Sequence, residues 1–534
     1  MPDENQDQPV IEKIPSVSEP ERPKPPWQTE EETEPKEEAG PQPTAGFKLS
    51  PAEITLQGKP QTEKAPVGIS PSETPPSEES SELPPSQPPE PARAFHAESK
   101  PFLNIMKKIL PIILGLIVVA GLVFFLIKVA LPRFQKPEEA TLTYWGLWEP
   151  DSVMRQLITD WNEDHSHVKI NYSMQSKEQY RERLQSALAR GQGPDIFRYH
   201  ITWTPMFKSQ LDSIPTAVMS SSQFDTTFYP VASANLRSGT NYLGIPLEVD
   251  TLALFYNKNI FQTAGKTPPA TWDELRRVAI ELTTYDEAGR IQTAGVALGT
   301  TNNIEHWSDI LGLMMLQNEA DLANPTDSLA EDALIFYTIF NKTDQVWDLT
   351  LPNSTLAFAN GKLAMYFGYS WDVFEIKNIN PNLEFGVVKA PQLSGTNISW
   401  ASFWVEGVNN KSEHKNEAWE FLQYLSSKEI LAKLYQAESQ LRLFGEPYSR
   451  IDMASQAKTN PLVSSFIDQA PQAQTWYLCS RTFDNGINDK MIGYFKDAVN
   501  AVNINKTPAE ALETAAYGVA QLLSQYGLAG PIVR

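Results

Sequence analysis

The sequence predicts an α/β fold with a mostly parallel sheet, divided between two lobes, for residues 140–534. Three observations predict it. Strand-like and helix-like periodicities alternate along this stretch with short turns between them, the order that builds parallel strands joined by crossover helices. Capping boxes mark two of the helix starts. The stretch also holds 12 of the 13 tryptophans and is nearly 400 residues long, too much for one hydrophobic core, which stops growing at about 250–300 residues.

The elements follow in order. Residues 141–145 (TLTYW) alternate like a strand, and Val153, Leu157, Ile158 and Trp161 then recur at helical spacing up to the polar run 162–167. Residues 168–173 alternate again. A second helix places Tyr180, Leu184, Ala187 and Leu188 on one face, and Gly191, Gly193 and Pro194 end it before the short strand 195–199. Thr271 and Glu274 form a capping box opening a helix that carries Leu275, Val278 and Leu282. Thr507 and Glu510 repeat the device, with Pro508 at the first helical position, for the last helix.

Two segments of different physics precede this part. Of 42 prolines, 22 fall at or before Pro101, and residues 1–100 carry 20 acidic and 9 basic side chains, so −11 of the net charge of −21 sits there. No periodic apolar face offsets the entropy of ordering the chain, so residues 1–101 are expected to be a disordered Pro/Glu-rich tail. From Ile109 to Leu131, 17 of 23 residues are Ile, Leu, Val or Phe. A helix of this length covers about 30 Å, the hydrocarbon thickness of a bilayer, so residues 109–131 are expected to be one transmembrane helix. A cleaved signal peptide would lie at the N-terminus with a shorter apolar core. Lys100, Lys107 and Lys108 on one side nearly balance Lys128, Arg133 and Lys136 on the other. The flanking charges therefore leave the orientation open.

Composition excludes several functions. An acidic chain with pI near 4.8 lacks the cationic surface that displaces counterions from nucleic acid, so no nucleic-acid partner is expected. Cys479 is the single cysteine, which rules out an intrachain disulfide and a cysteine-based metal site, and His165 and His167 form the one close histidine pair. No GxSxG, Walker loop or HExxH is present. No metal or other cofactor and no catalytic residue are expected.

Five blocks of residues then carry a resemblance. They are residues 188–196 (LARGQGPDI), residues 244–258 (GIPLEVDTLALFYNK) with 271–275 (TWDEL), residues 358–365 (FANGKLAM) with Gly368 and Trp371, residues 416–422 (NEAWEFL), and residues 507–512 (TPAEAL). In this order the chain resembles the family 1 extracellular solute-binding proteins, the maltose-binding-protein-like receptors of ATP-driven (ABC) importers. The resemblance implies a two-lobed periplasmic-binding-protein-like (type II) fold with discontinuous lobes. Lobe 1 is then about 140–250 and 398–444, and lobe 2 about 255–390 and 450–534. It also implies a solute, expected to be a sugar, in the cleft between the lobes, ABC permease subunits as partners, and no enzymatic activity. With the span, this gives a single-pass cell-membrane receptor whose tail is cytoplasmic and whose solute-binding domain is extracytoplasmic. A sensor or adhesin signalling through the span is the alternative, and a carbohydrate-active enzyme a third reading.

A sugar is held by aromatic rings against its C–H faces and by carboxylates or amides that take its hydroxyls. Trp145 and Trp148 lie at and just after the end of the first strand, where open α/β sheets bind ligands. Tyr199 and Trp203 occupy an equivalent strand-end loop. Trp307 sits at a helix start, Trp371 after a Gly-containing turn, and Trp404 near the returning crossing. Glu248 and Asp250 are two apart on an extended segment, so both carboxylates project from one face. By the resemblance, Asp250 is expected to accept bonds from ligand hydroxyls. Trp161, Trp272 and Trp419 are on helix faces that read as packing.

Overall fold

The computed structural model describes residues 102–125, 128 and 139–528, with side chains of the first helix described from Ile109 onward. The expected tail, residues 1–101, lies outside the described residues. Among the described residues thirteen strands follow the first helix. They are β1 (Ala140–Gly146), β2 (Val168–Met174), β3 (Ile196–His200), β4 (Arg237–Ser238), β5 (Asn241–Tyr242), β6 (Ala253–Asn257), β7 (Thr284–Tyr285), β8 (Ile291–Val296), β9 (Leu363–Gly368), β10 (Phe385–Lys389), β11 (Ser399–Trp400), β12 (Trp404–Val408) and β13 (Ala473–Gln474).

The first sheet has the order β12-β3-β1-β2. Its alternating strand β1 buries Ala140, Leu142 and Tyr144 and turns Thr141 and Thr143 to solvent. The helices Asp151–Asp164 and Tyr180–Ala189 carry the chain from β1 to β2 and from β2 to β3, which makes both β1 pairings parallel. They bury Val153, Leu157 and Trp161, and Tyr180, Leu184, Ala187 and Leu188. His165 stacks on Trp161, with centroids 3.5 Å apart, and caps the end of that helix.

The second sheet has the order β10-β6-β9-β8-β7. Here the expectation of a mostly parallel sheet fails. Strand β6 runs antiparallel to both β9 and β10, and the pairing of β8 with β9 is parallel. The cause is connectivity: β9, the helix Ser370–Ile379 and β10 form a crossover unit, and β6 inserts between its two strands from the opposite direction. Every residue of β9 is buried, so its sequence LAMYFG is an apolar run without alternation. Gly295 in β8 lets the helix Trp272–Leu282 come down on the sheet, since a Cβ there would stand 1.9 Å from the Ala279 carbonyl oxygen. That helix opens on the expected capping box of Thr271 and Glu274. At the last helix, Pro508–Gln525, Thr507 accepts the Glu510 amide.

Between the two sheets three segments lie side by side. Ile245 bridges Glu406, Thr251 bridges Ala401, and Glu248 bridges Tyr448. The lacing includes Leu252 N–H to Trp400 O at 2.8 Å, Val249 N–H to Pro447 O at 3.0 Å and Ser402 N–H to Asp250 O at 3.1 Å.

The helix Phe102–Phe125 exposes its apolar side chains, from Ile109 to Phe125. Its described side chains cover 17 residues, and among the described residues no helix is long and apolar enough to cross a membrane. The span expected at 109–131 is therefore not shown.

Candidate cleft between the two sheets

The carboxyl ends of β1 and β3 open into a cleft of about 480 Å³, the position that parallel strands leave for a ligand. From the first sheet it is lined by Trp148 after β1, His200 and Trp203 at the end of β3, and Trp404 at the start of β12. Facing these is a single helix, Ser370–Ile379. Trp371, Phe374, Glu375, Asn378 and Ile379 line the cleft, spaced as one helical face. Glu248 and Asp250 form part of the lining from the laced segments, and Ser480 to Phe483 close another side.

The aromatic walls pack on other side chains. Trp404 meets Trp148, Trp203 and His200 edge-on at centroid distances of 5.2, 4.9 and 5.2 Å. Trp371 stacks on Tyr369 at 4.3 Å and 17°, and the Tyr369 hydroxyl donates to Asp309 at 2.6 Å. Half-buried Trp148 and Trp371 and fully buried Trp203 therefore sit on fixed supports. The indole N–H groups of Trp148 and Trp203 are buried without a protein acceptor.

Beneath Trp148 lies a buried ion triad. Arg198 on β3 donates to both oxygens of Glu149 at 2.7 and 2.9 Å and to Glu406 at 2.6 Å. Glu406 is its cross-strand partner on β12. The guanidinium stands 5.3 Å from the Trp148 ring. Burial lowers the affinity of Arg198 for its proton, but Glu149 and Glu406 more than offset this and hold it well above the usual range.

The cleft carboxylates are largely engaged with the protein itself. Burial, then the facing Glu446, pushes Glu248 well above the carboxylate range. Arg442 bonds Glu446 at 2.7 Å and Glu438 at 3.0 Å. Burial followed by Glu446 raises Glu438 to about 8. Asp250 accepts Thr251 N–H at 2.8 Å, Ser370 N–H at 2.9 Å and Ser370 Oγ–H at 2.5 Å. Burial pushes it up as well, against those bonds. Burial drives His200 down to about 3, so it is a neutral ring between Thr202 and Ser402.

One row of side chains has the look of a nucleophile relay: Ser480 Oγ lies 2.8 Å from His306 Nδ1, and His306 Nε2 lies 2.9 Å from Asp372. Burial alone would push His306 down, but Asp372, with Asp309 behind it, pushes it up. The row ties the cleft-lining loop to the second sheet. Among the described residues no group of three His, Cys, Asp or Glu side chains could hold a metal ion.

Residues 145–432 match the bacterial extracellular solute-binding proteins. The chain belongs to this family. Among its relatives, the multiple sugar-binding protein of Streptococcus mutans is 21% identical over 322 residues, covering 57% of this chain and 75% of the relative. The sn-glycerol-3-phosphate-binding periplasmic protein of Agrobacterium fabrum is 26% identical over 258 residues, covering 44% and 53%. A cyclo/maltodextrin-binding protein complexed with maltotetraose shares the fold at a TM-score of 0.59 and 17% identity, over 73% of this chain and 98% of that one. An ABC transporter solute-binding protein from Thermotoga lettingae bound with α-D-tagatose does so at 0.56 and 23%, over 72% and 100%.

In this solute-binding protein the cleft brings together six of the nine residues singled out from the sequence, Trp148, Trp203, Glu248, Asp250, Trp371 and Trp404. Three lie elsewhere. Trp145 points to the opposite face of β1 from Tyr144 and packs on the core. Tyr199 is fully buried inside β3, between Phe197 and Phe207, because β3 is flanked by strands on both sides. Trp307, the first residue of the helix Trp307–Gln317, is buried in the core, and His306 before it reaches Trp371 instead, at 6.4 Å. Asp250 lines the cleft, and its carboxylate already accepts three protein donors. Sequence reasoning missed Lys177, His200, Phe374, Arg442, Glu446 and the loop 480–483. In that loop Arg481 and Phe483 both have left-handed backbones, at φ 59° and 50°, a strain that cleft residues often carry. Only the helical spacing 371, 374, 375 and 378 could have flagged part of the set.

Proposed function

We propose that this protein captures a neutral carbohydrate in the cleft and delivers it to an ABC importer, acting outside the cytoplasm while anchored by one membrane helix. The observation that carries the reading is the composition of the cleft: indole walls on both sides, with carboxyl groups between them that protein donors already bond. Such a site offers ring faces to C–H surfaces and polar groups to hydroxyls without demanding a charge from the ligand. Trp148, Trp203, Trp371 and Trp404 are the proposed platforms, with Glu248 as a hydroxyl partner. The lobes are taken as about 140–250 with 398–444 and about 255–390 with 450–534. The S. mutans relative and the maltodextrin-binding neighbour support a sugar.

The proposed anchor rests on the exposed apolar helix side chains from Ile109 to Phe125 and on the sequence, which stays apolar to Leu131. A second reading, an anionic ligand, is favoured by Lys177. It lines the cleft and, among the described residues, has no carboxylate within salt-bridge distance. The A. fabrum relative binds sn-glycerol 3-phosphate by its description. Tryptophan fluorescence titrated with linear and cyclic maltodextrins, tagatose and sn-glycerol 3-phosphate separates the two readings. Saturable quenching by a neutral sugar supports the first. Silence with every neutral sugar and a response to the phosphate replaces it with the second. Protease digestion of intact cells that removes the tail but spares the domain would sink the proposed topology.

A further inference from the structure

We propose that Asp250 is a positioning residue: its carboxylate fixes the start of the helix that forms one whole wall of the cleft, and it does not itself bind the ligand. This rests on the reading of the cleft as the binding site.

The first amides of a helix have no partner within it. In the helix Ser370–Ile379, the Ser370 N–H is satisfied from outside, by Asp250 Oδ2 at 2.9 Å, and the Ser370 hydroxyl donates to the same oxygen at 2.5 Å. The other carboxylate oxygen accepts Thr251 N–H at 2.8 Å. Asp250 and Ser370 are 3% and 1% exposed. An acceptor oxygen at a helix N-terminus also meets the positive end of its dipole. The next residue, Trp371, is the platform, and the residues one and two turns on complete the wall.

The other end of this link is the laced middle of the molecule. The Asp250 carbonyl accepts Ser402 N–H at 3.1 Å, Leu252 N–H donates to Trp400, and the Thr251 hydroxyl donates to the Phe466 carbonyl at 2.8 Å. The wall helix follows β9 in the chain and belongs to the second sheet, and the Asp250 carboxylate ties its first turn to the laced segments. Three protein donors converge on the carboxylate, two of them on the oxygen that meets the helix start.

The test is amide hydrogen exchange on the ligand-free protein, comparing wild type with Asp250→Ala, Asp250→Asn and Ser370→Ala, followed by affinities for the maltodextrin series. Exchange at Ser370 to Val373 should rise at least tenfold in Asp250→Ala and less in Asp250→Asn and Ser370→Ala, while β1 stays protected. Ser370→Thr, which keeps the hydroxyl, should restore wild-type exchange. Every sugar that binds should lose affinity by the same factor in Asp250→Asn. Unchanged exchange in the first turn overturns the proposal, and so does an affinity loss confined to sugars bearing one particular hydroxyl. If Asp250→Ala does not fold, the two milder variants decide the exchange result. The exchange result stands even where no sugar binds, so failure of the carbohydrate reading is told apart from failure of this one.

Discussion

Arg198→Met tests the electrostatics under the cleft. Arg198, Glu149 and Glu406 are 2%, 3% and 1% exposed, so solvent screens none of them. Removing the cation leaves two buried carboxylates unpaired, and breaking a buried pair from one side costs about 3–5 kcal/mol. Residues 139–528 number 390, which at about 2.1 cal/mol/K per residue gives an unfolding entropy near 0.8 kcal/mol/K. The melting temperature should therefore fall by about 4–6 °C. The triple variant Arg198→Met, Glu149→Gln, Glu406→Gln should recover most of this, since a neutral buried set carries no unpaired charge. Burial already pushes Glu406 up with Arg198 present. Without Arg198 the folded state holds carboxyl protons more tightly than the unfolded chain, so stability relative to wild type should improve as pH falls from 7 to 5. Urea unfolding and calorimetry at both pH values read all three effects. A loss under about 1 kcal/mol in the single variant, or no recovery in the triple, would refute the argument that the triad is held by mutual compensation.

Other predictions follow from single contacts. His200 stays neutral in the fold down to about 3. The unfolded chain binds its proton from about pH 6.5, so this group should take away about 2.7 kcal/mol by pH 4.5. His200→Gln should flatten that acid limb in urea melts compared with wild type. Gly295→Ala drives a Cβ to 1.9 Å from a helix carbonyl and should cost at least about 1–3 kcal/mol, visible as a lower melting temperature with secondary structure retained by circular dichroism. Trp371→Ala should weaken binding of a carbohydrate ligand by about 10–100-fold, the loss of one stacking face. Glu248→Gln keeps a hydroxyl-accepting oxygen in the same place and should change affinity for a neutral sugar by less than about threefold near pH 7. Titration calorimetry on both variants checks the contrast.

Much of this was legible in the sequence for definite reasons. The helix Tyr180–Ala189 buries the four residues that its spacing marked, and Thr271 and Glu274 cap as written, because both signals are local. The antiparallel insertion of β6 was hidden because strand direction depends on where the chain crosses between sheets, which periodicity does not record. Placement of aromatics at strand ends found Trp148 and Trp203, and nearness to the returning crossing found Trp404, yet strand-end placement failed for Trp145 and Tyr199, where one residue of register sends a side chain to the other face or into a covered strand. The spacing of Glu248 and Asp250 put both on the cleft. It could not show that Glu446 and Ser370, 198 and 120 residues away in sequence, would take their carboxyl groups.

The central claim is that the cleft holds a neutral carbohydrate. Native mass spectrometry of the full-length protein, purified gently from cells grown on mixed carbohydrates, tests it most directly. The account predicts a bound species whose mass matches a neutral sugar or oligosaccharide, released on dilution and absent from Trp371→Ala. A phosphorylated, carboxylated or peptide ligand retained in the wild type, and kept by Trp371→Ala, would contradict it.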